Sequence, residues 1–193
     1  MEILFATGNG HKFREAKELL QVPGIVLGRM DFVYREIRSD DVSEIAADAA
    51  LEAWRRCRKP VFVEDSGIFI RSLGGFPGTY SGWAFSKLGN SGILRLMDGK
   101  DDRSAEFRSS VAFADESGLR IFNGKCSGQI IDAAIGSKGF GYDPIFVPEG
   151  ESQTFAESIE LKNKLSHRYN SLLKFSNYLR EEQICKKFVR SGS

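Results

Sequence analysis

Four short segments of the chain carry side chains and spacings that could do chemistry. Thr7-Gly8-Asn9 is a small polar turn with Lys12 following at about one helical turn, where exposed backbone N–H groups and a full positive charge would suit a phosphate. The plainer reading is that Asn9 caps a helix and Lys12 is solvated. The GxxxxGK[ST] pattern of a Walker loop is absent. Glu64-Asp65-Ser66-Gly67 puts two adjacent carboxylates after the apolar run Val61-Phe62-Val63, and burying such charge is costly unless a cation or hydrogen bonds compensate. Oxygen-only ligands point to Mg²⁺, with Mn²⁺ as its substitute, and Glu36 could complete a carboxylate cage. Side chains alternate along a strand, so Glu64 and Asp65 would face opposite ways unless the strand has already ended. As surface acids at loop mouths, all three would do nothing further.

Ser166-His167-Arg168 gathers three donors at a helix start, with Lys162 just upstream. Taken singly, Ser166 reads as a cap, His167 as solvated and Arg168 as the partner of a glutamate. Gly139-Phe140-Gly141-Tyr142-Asp143-Pro144 sets two aromatics among glycines that allow close approach to a flat partner, then adds an acceptor carboxylate. A nucleobase would fit there; so would ordinary core packing beside a tight turn. His11 and His167 are the only histidines, which excludes a histidine-rich zinc or iron site, and no serine triad can be assembled. Metal-assisted phosphoryl chemistry leads.

These residues must be positioned by a chain of 193 residues with 41% hydrophobic and 27% charged residues, an ordinary globular composition long enough for a real core. Its 27 basic and 26 acidic residues leave a net charge of +1, with no global field to attract nucleic acid. Cys57, Cys126 and Cys185 are too few and scattered for a disulfide framework, so a reducing cytoplasm is expected. No apolar run is long enough to span a membrane.

Ile3 to Ala6 reads as a buried strand, followed by a helix with Phe13, Ala16, Leu19 and Leu20 on one face. An extended segment over Phe32 to Ile37 is expected next, with Glu36 at its end. The clearest helix has Val42, Ile45, Ala46, Ala49, Ala50, Ala53, Trp54 and Cys57 at three and four spacing; Asp41 and Glu44 resemble a capping box, and Pro60 stops it. Strand Val61 to Val63 should run into Glu64-Asp65. A helix is expected from about Gly82 to Met97, then a long antiparallel hairpin turning at Glu116-Ser117-Gly118, a short strand at Ile145 to Val147 and a final helix carrying Leu165 to Leu179. The fold class is therefore α/β, an elongated mixed β-sheet with flanking helices in two lobes around a central cleft. Residues 1–193 read as one domain of two lobes, with a tail over about 186–193.

In combination these blocks resemble the inosine triphosphate pyrophosphatase (HAM1-like) family, which acts on deaminated purine nucleotides. The matching residues are Thr7-Gly8-Asn9 with Lys12, Val63 to Gly67, Gly74-Gly75-Phe76-Pro77-Gly78-Thr79-Tyr80, Gly139 to Pro144, Thr154-Phe155-Ala156-Glu157, and Lys162 with Ser166-His167-Arg168. The resemblance implies a nucleotide substrate, a Mg²⁺ requirement and a homodimer. It makes Asp65 and Lys12 catalytic, and Thr7, Gly8, Asn9, Lys12, Ser66, Phe140, Gly141, Tyr142, Asp143, Lys162, Ser166, His167 and Arg168 substrate contacts. Glu36, Asp65 and Glu64 become metal partners. The implied reaction is attack of water on the α-phosphorus of ITP, dITP or XTP, releasing monophosphate and pyrophosphate. Hypoxanthine and xanthine present an O6 acceptor and an N1–H donor, which Arg168 and Asp143 would match and adenine would not. Two rivals are a related pyrophosphatase acting on pyrimidine or modified nucleotides and a non-catalytic nucleotide-binding module.

Overall fold

The computed structural model describes residues 1–191, with side chains described through Glu182; the side chains of the tail expected over about 186–193 lie outside the described residues. The elements run β1 (Glu2–Ala6), α1 (Gly10–Leu19), β2 (Val26–Met30), α2 (Val42–Cys57), β3 (Val61–Ile70), β4 (Pro77–Gly78), α3 (Ser81–Leu96), β5 (Ser104–Asp115), β6 (Gly118–Ile130), β7 (Phe146–Pro148), α4 (Ile159–Leu165) and α5 (His167–Ser191). One mixed sheet has the order β2-β1-β3-β5-β6-β7, with β4 paired to β3 off that path. Its β2-β1-β3 part is parallel and the rest antiparallel, so the α/β architecture with flanking helices forms as the element order implies.

Alternation along β3 and β5 divides the packing. Phe62, Val111 and Phe113 meet Phe5, Leu172 and Phe175 under α1 and α5. Val61, Val63, Ala112 and Ala114 meet Ala46, Ala49, Ala50 and Ala53 of α2, where small side chains let helix and sheet approach closely. Ile68, Ile70 and Phe107 lead into a separate cluster with Ile93, Met97, Phe146 and Phe155. β3 and β5 thus span both ends of the molecule.

α2 begins and ends where its punctuation requires. The Asp41 side chain accepts from the Ser43 N–H, and Arg58 takes a left-handed conformation (φ 53) before Pro60. Three expectations differ from what is observed. The second strand is Val26–Met30, and residues 32–37 lie outside any strand; Phe32 and Tyr34 instead stack on each other at 4.9 Å, with Arg56 over Phe32. β3 does not stop at the acidic pair but runs on to Ile70, because β5 pairs with it residue for residue from Val61 to Ile70. The final helix is two helices, broken at Ser166 in an extended conformation.

Candidate active site

The site opens where two parallel strands end at different heights. β1 pairs with β3 only through Leu4↔Val61 and Phe5↔Phe62, and β4 takes up the same side of β3 only at Ile68 and Phe69. Between them, residues 64–67 have β5 on one edge and no strand on the other. Lys12, from the first turn of α1, enters this gap, where its Nζ donates to the Glu64 carbonyl at 3.1 Å and pairs with Glu64 Oε2 at 2.9 Å. A second close approach shapes the floor. A Cβ on Gly67 would collide with the Gly78 carbonyl, so this glycine lets β4 and the start of α3 close over β3.

The gap is part of a cleft of about 530 Å³, a size suited to a small-molecule ligand. Its charges are mostly paired. Arg168, buried at the start of α5, donates from Nη1 to Glu15 at 2.7 Å and from Nη2 to Ser66 Oγ at 2.9 Å, and its Nε lies 3.2 Å from Glu64 Oε1. Lys162 on α4 lies 2.8 Å from Glu15 and 2.7 Å from Asp143. Burial alone would raise the pKa of Glu64, but Arg168, then Lys12 and the Ser109 hydroxyl at 2.7 Å hold it well below the carboxylate range. Glu64 is therefore a buried structural anion tying α1, β3, β5 and α5 together. Glu15 is also depressed: desolvation opposes its charge, and Arg168 and Lys162 outweigh it.

Asp65 faces the other way and has no such partner. Its Oδ2 is buried without a hydrogen bond, and desolvation, with the nearby Glu64 and Glu36 charges and despite Lys12, pushes its pKa up to about 7. Lys12, Lys162 and Arg168 thus confront Glu15, Glu36, Glu64, Asp65 and Asp143, leaving carboxylates in excess around a space lined in part by Asp65 and Glu36. Oxygen donors in excess, one of them unsatisfied, fit a hard divalent cation held by Asp65 and Glu36. Among the described residues no three His, Cys, Asp or Glu side chains form a ready-made metal cluster.

The other end of the cleft is aromatic. Tyr142 is buried, its hydroxyl donating to the Ser81 carbonyl at 2.9 Å, and it meets Phe85 edge-on at 5.3 Å. Lys162 Nζ lies 4.2 Å from the Phe140 ring centroid, and Asp143 Oδ2 accepts from the Phe140 N–H at 2.7 Å. His167 stacks on Phe107 at 4.5 Å and 6°; burial and then Arg168 push its pKa well down, so its ring is neutral, and its Nδ1 has no partner. The unpaired Nδ1 thus lies beside a flat aromatic slot.

The Ham1 family model matches residues 3–178, nearly the whole described chain. The chain belongs to the Ham1 family. It is 47% identical over 180 residues to a dITP/XTP pyrophosphatase of Methanopyrus kandleri, covering 92% of this chain and 96% of that protein. A protein of the same name from Thermococcus kodakarensis is 41% identical, over 94% of this chain and 98% of its own. The solved Ham1 protein of Staphylococcus aureus superposes with a TM-score of 0.84 at 29% identity, covering 94% of this chain and all of that one. That of Coxiella burnetii gives 0.83 at 30% identity, over 94% and 99%.

In this Ham1 chain the cleft brings together nearly all the residues singled out from sequence. Thr7, Gly8, Asn9 and Lys12 line one wall, Glu36, Asp65 and Ser66 the floor, and Phe140, Gly141, Tyr142, Asp143, Lys162, His167 and Arg168 the far end. Two do not line it. Glu64 sits behind the wall in its ion pairs, and Ser166 is buried as a cap, its Oγ accepting from the Tyr169 N–H. Asn9 also caps, accepting from the His11 and Lys12 N–H groups. The sequence reading missed Glu15, whose only local signal is its place one turn after Lys12 on α1, and missed Trp83 and Phe85, which α3 places on the cleft. A larger groove of about 1080 Å³ lies on the other face of β5, around Arg71, Glu106 and Arg108, but no buried charged side chain lines it.

Proposed function

We propose that this chain hydrolyses deaminated purine nucleoside triphosphates, dITP, ITP and XTP, to the monophosphate and pyrophosphate, with a divalent cation, Mg²⁺ in the first instance. The observation that carries the reading is Asp65: a half-buried carboxylate beside Lys12, bonded to the Ser66 backbone but with its buried Oδ2 unsatisfied, in a cleft whose opposite end is an aromatic slot. The names of the relatives just described support the substrate class. A polyanionic triphosphate entering a site already rich in carboxylates requires added positive charge. The cation, held by Asp65 and Glu36, supplies charge neutralisation on the phosphate oxygens when bound. Lys12 keeps part of its ammonium exposed to the cleft and aligns the phosphates, while Asp65 orients the attacking water and accepts its proton. At the other end, Phe140 and Tyr142 wall the base, and His167, Arg168 and Asp143 read its edge.

The absence of a helix long and apolar enough to cross a membrane among the described residues agrees with action on a dissolved nucleotide. Homodimer assembly and a cytoplasmic location complete the proposal. The test is turnover of dITP, ITP, XTP and ATP with Mg²⁺ and again with excess EDTA. Rapid turnover of the first three, poor turnover of ATP, loss in EDTA and recovery with Mg²⁺ are expected; undiminished turnover in EDTA would remove the cation from the account.

A further inference from the structure

Three groups bear on the Phe140 ring. The Lys162 ammonium lies 4.2 Å and the Arg168 guanidinium 5.5 Å from its centroid. The third is His11, whose imidazole stacks on the Phe140 ring with centroids 5.1 Å apart and planes 29° apart. His11 is exposed on the first turn of α1 and does not line the cleft, so it touches the slot only through Phe140. Its Nδ1 accepts from Arg14 Nη2 at 2.9 Å one turn along the same helix, which favours the stacked orientation of the ring. The backbone around Phe140 is hydrogen-bonded, the Gly141 carbonyl accepting from Asn90 Nδ2 at 3.1 Å, but its chain neighbours give the ring itself no side-chain contact. It lies between Gly139 (φ 73) and Gly141 (φ 64), and residues 132–139 before it are exposed. Its firm backbone anchor is the hydrogen bond to Asp143.

We infer that His11 is a positioning residue for the base end of the cleft: its stacked imidazole keeps the Phe140 ring against the slot, so that the ring is already in place as a wall when a nucleobase enters. This rests on the nucleotide reading above. Energetically it is preorganisation, because a side chain immobilised before binding is not charged to the ligand on binding. The effect belongs in KM, since the stack forms in the free protein and His11 itself does not line the cleft. It depends on aromaticity rather than on the histidine proton, which separates it from any service to the phosphates.

The experiment uses the full chain as wild type, His11→Ala and His11→Phe, with dITP as substrate and inorganic tripolyphosphate as a base-free competitor. Wild type must first turn over dITP with Mg²⁺; failure there contradicts the nucleotide reading itself. Given that turnover, His11→Ala should raise KM for dITP by about 3- to 10-fold, the worth of one aromatic contact, with kcat nearly unchanged. His11→Phe should restore KM, and the inhibition constant of tripolyphosphate should be the same in all three proteins. An unchanged KM in His11→Ala overturns the inference, as does a KM that His11→Phe leaves high. A tripolyphosphate constant that rises in step with KM also overturns it, since His11 would then serve the phosphate end.

Discussion

At the scale of single residues, adjacent carboxylates on one strand have opposite fates. Glu64 faces Lys12 and Arg168 and is a charged strut; Asp65 faces the cleft, and its Oδ2 has no hydrogen bond. Folding raises the Asp65 pKa from 3.8 to about 7, so the folded protein binds a proton that the unfolded chain releases between those values. The stability this gives at low pH is lost as the pH rises through about 7, when the charge must be carried buried. Asp65→Asn should therefore cut kcat by about 10²-fold or more. In metal-free buffer with EDTA at pH 8 it should also make the protein about 1–3 kcal/mol more stable, with no such gain near pH 4. Urea unfolding at the two pH values measures this. Arg168 should show the reverse. Arg168→Ala leaves Glu64 with Lys12 and Glu15 with Lys162 as their remaining cations, and the same unfolding experiment should read a loss of about 3 kcal/mol. Arg168→Lys should recover only part of it, because one ammonium cannot reproduce the guanidinium contacts to Glu15, Ser66 and Glu64.

At the scale of elements, the site exists because β1 stops while β3 continues and because α5 begins against β6. A Cβ on Gly124 of β6 would collide with the His167 carbonyl and the Ser171 amide, so this glycine seats the turn that carries His167 and Arg168. Gly124→Ala should destabilise the fold by about 1–3 kcal/mol and raise KM for dITP, checked by thermal melting alongside steady-state kinetics. Elements with strong local signals were legible in the sequence: the β5–β6 hairpin from the alternation of Phe107, Ser109, Val111 and Phe113, and α2 from its apolar spacing between Asp41 and Pro60. β2 was not, because Val-Leu-Gly-Arg-Met has an exposed valine, a glycine and no alternation, while the β-prone Phe32–Ile37 segment finds a helix face and no strand partner. The extension of β3 through Asp65-Ser66-Gly67 was hidden by its turn-like composition and is imposed by β5. Glu15 was invisible for a related reason: its partners Lys162 and Arg168 lie on α4 and α5, and no local pattern encodes a contact across 153 residues.

For the whole molecule, the near balance of 27 basic and 26 acidic residues conceals a local excess of carboxylate in the cleft; on the function proposed above, cation and triphosphate would bind as mutually dependent ligands. Lys12, Asp65 and Arg168 come from α1, β3 and α5, and Phe140, Tyr142 and Asp143 from the loop before β7; all six line one cleft. On the proposed function, water attacks the phosphorus nearest the sugar, at the Lys12–Asp65 end of the cleft. Chromatography of the products of dITP after a single turnover with Mg²⁺ distinguishes this from attack at the terminal phosphorus. The expected products are dIMP and pyrophosphate in equal amounts with no dIDP; dIDP and orthophosphate as the main products would rule it out.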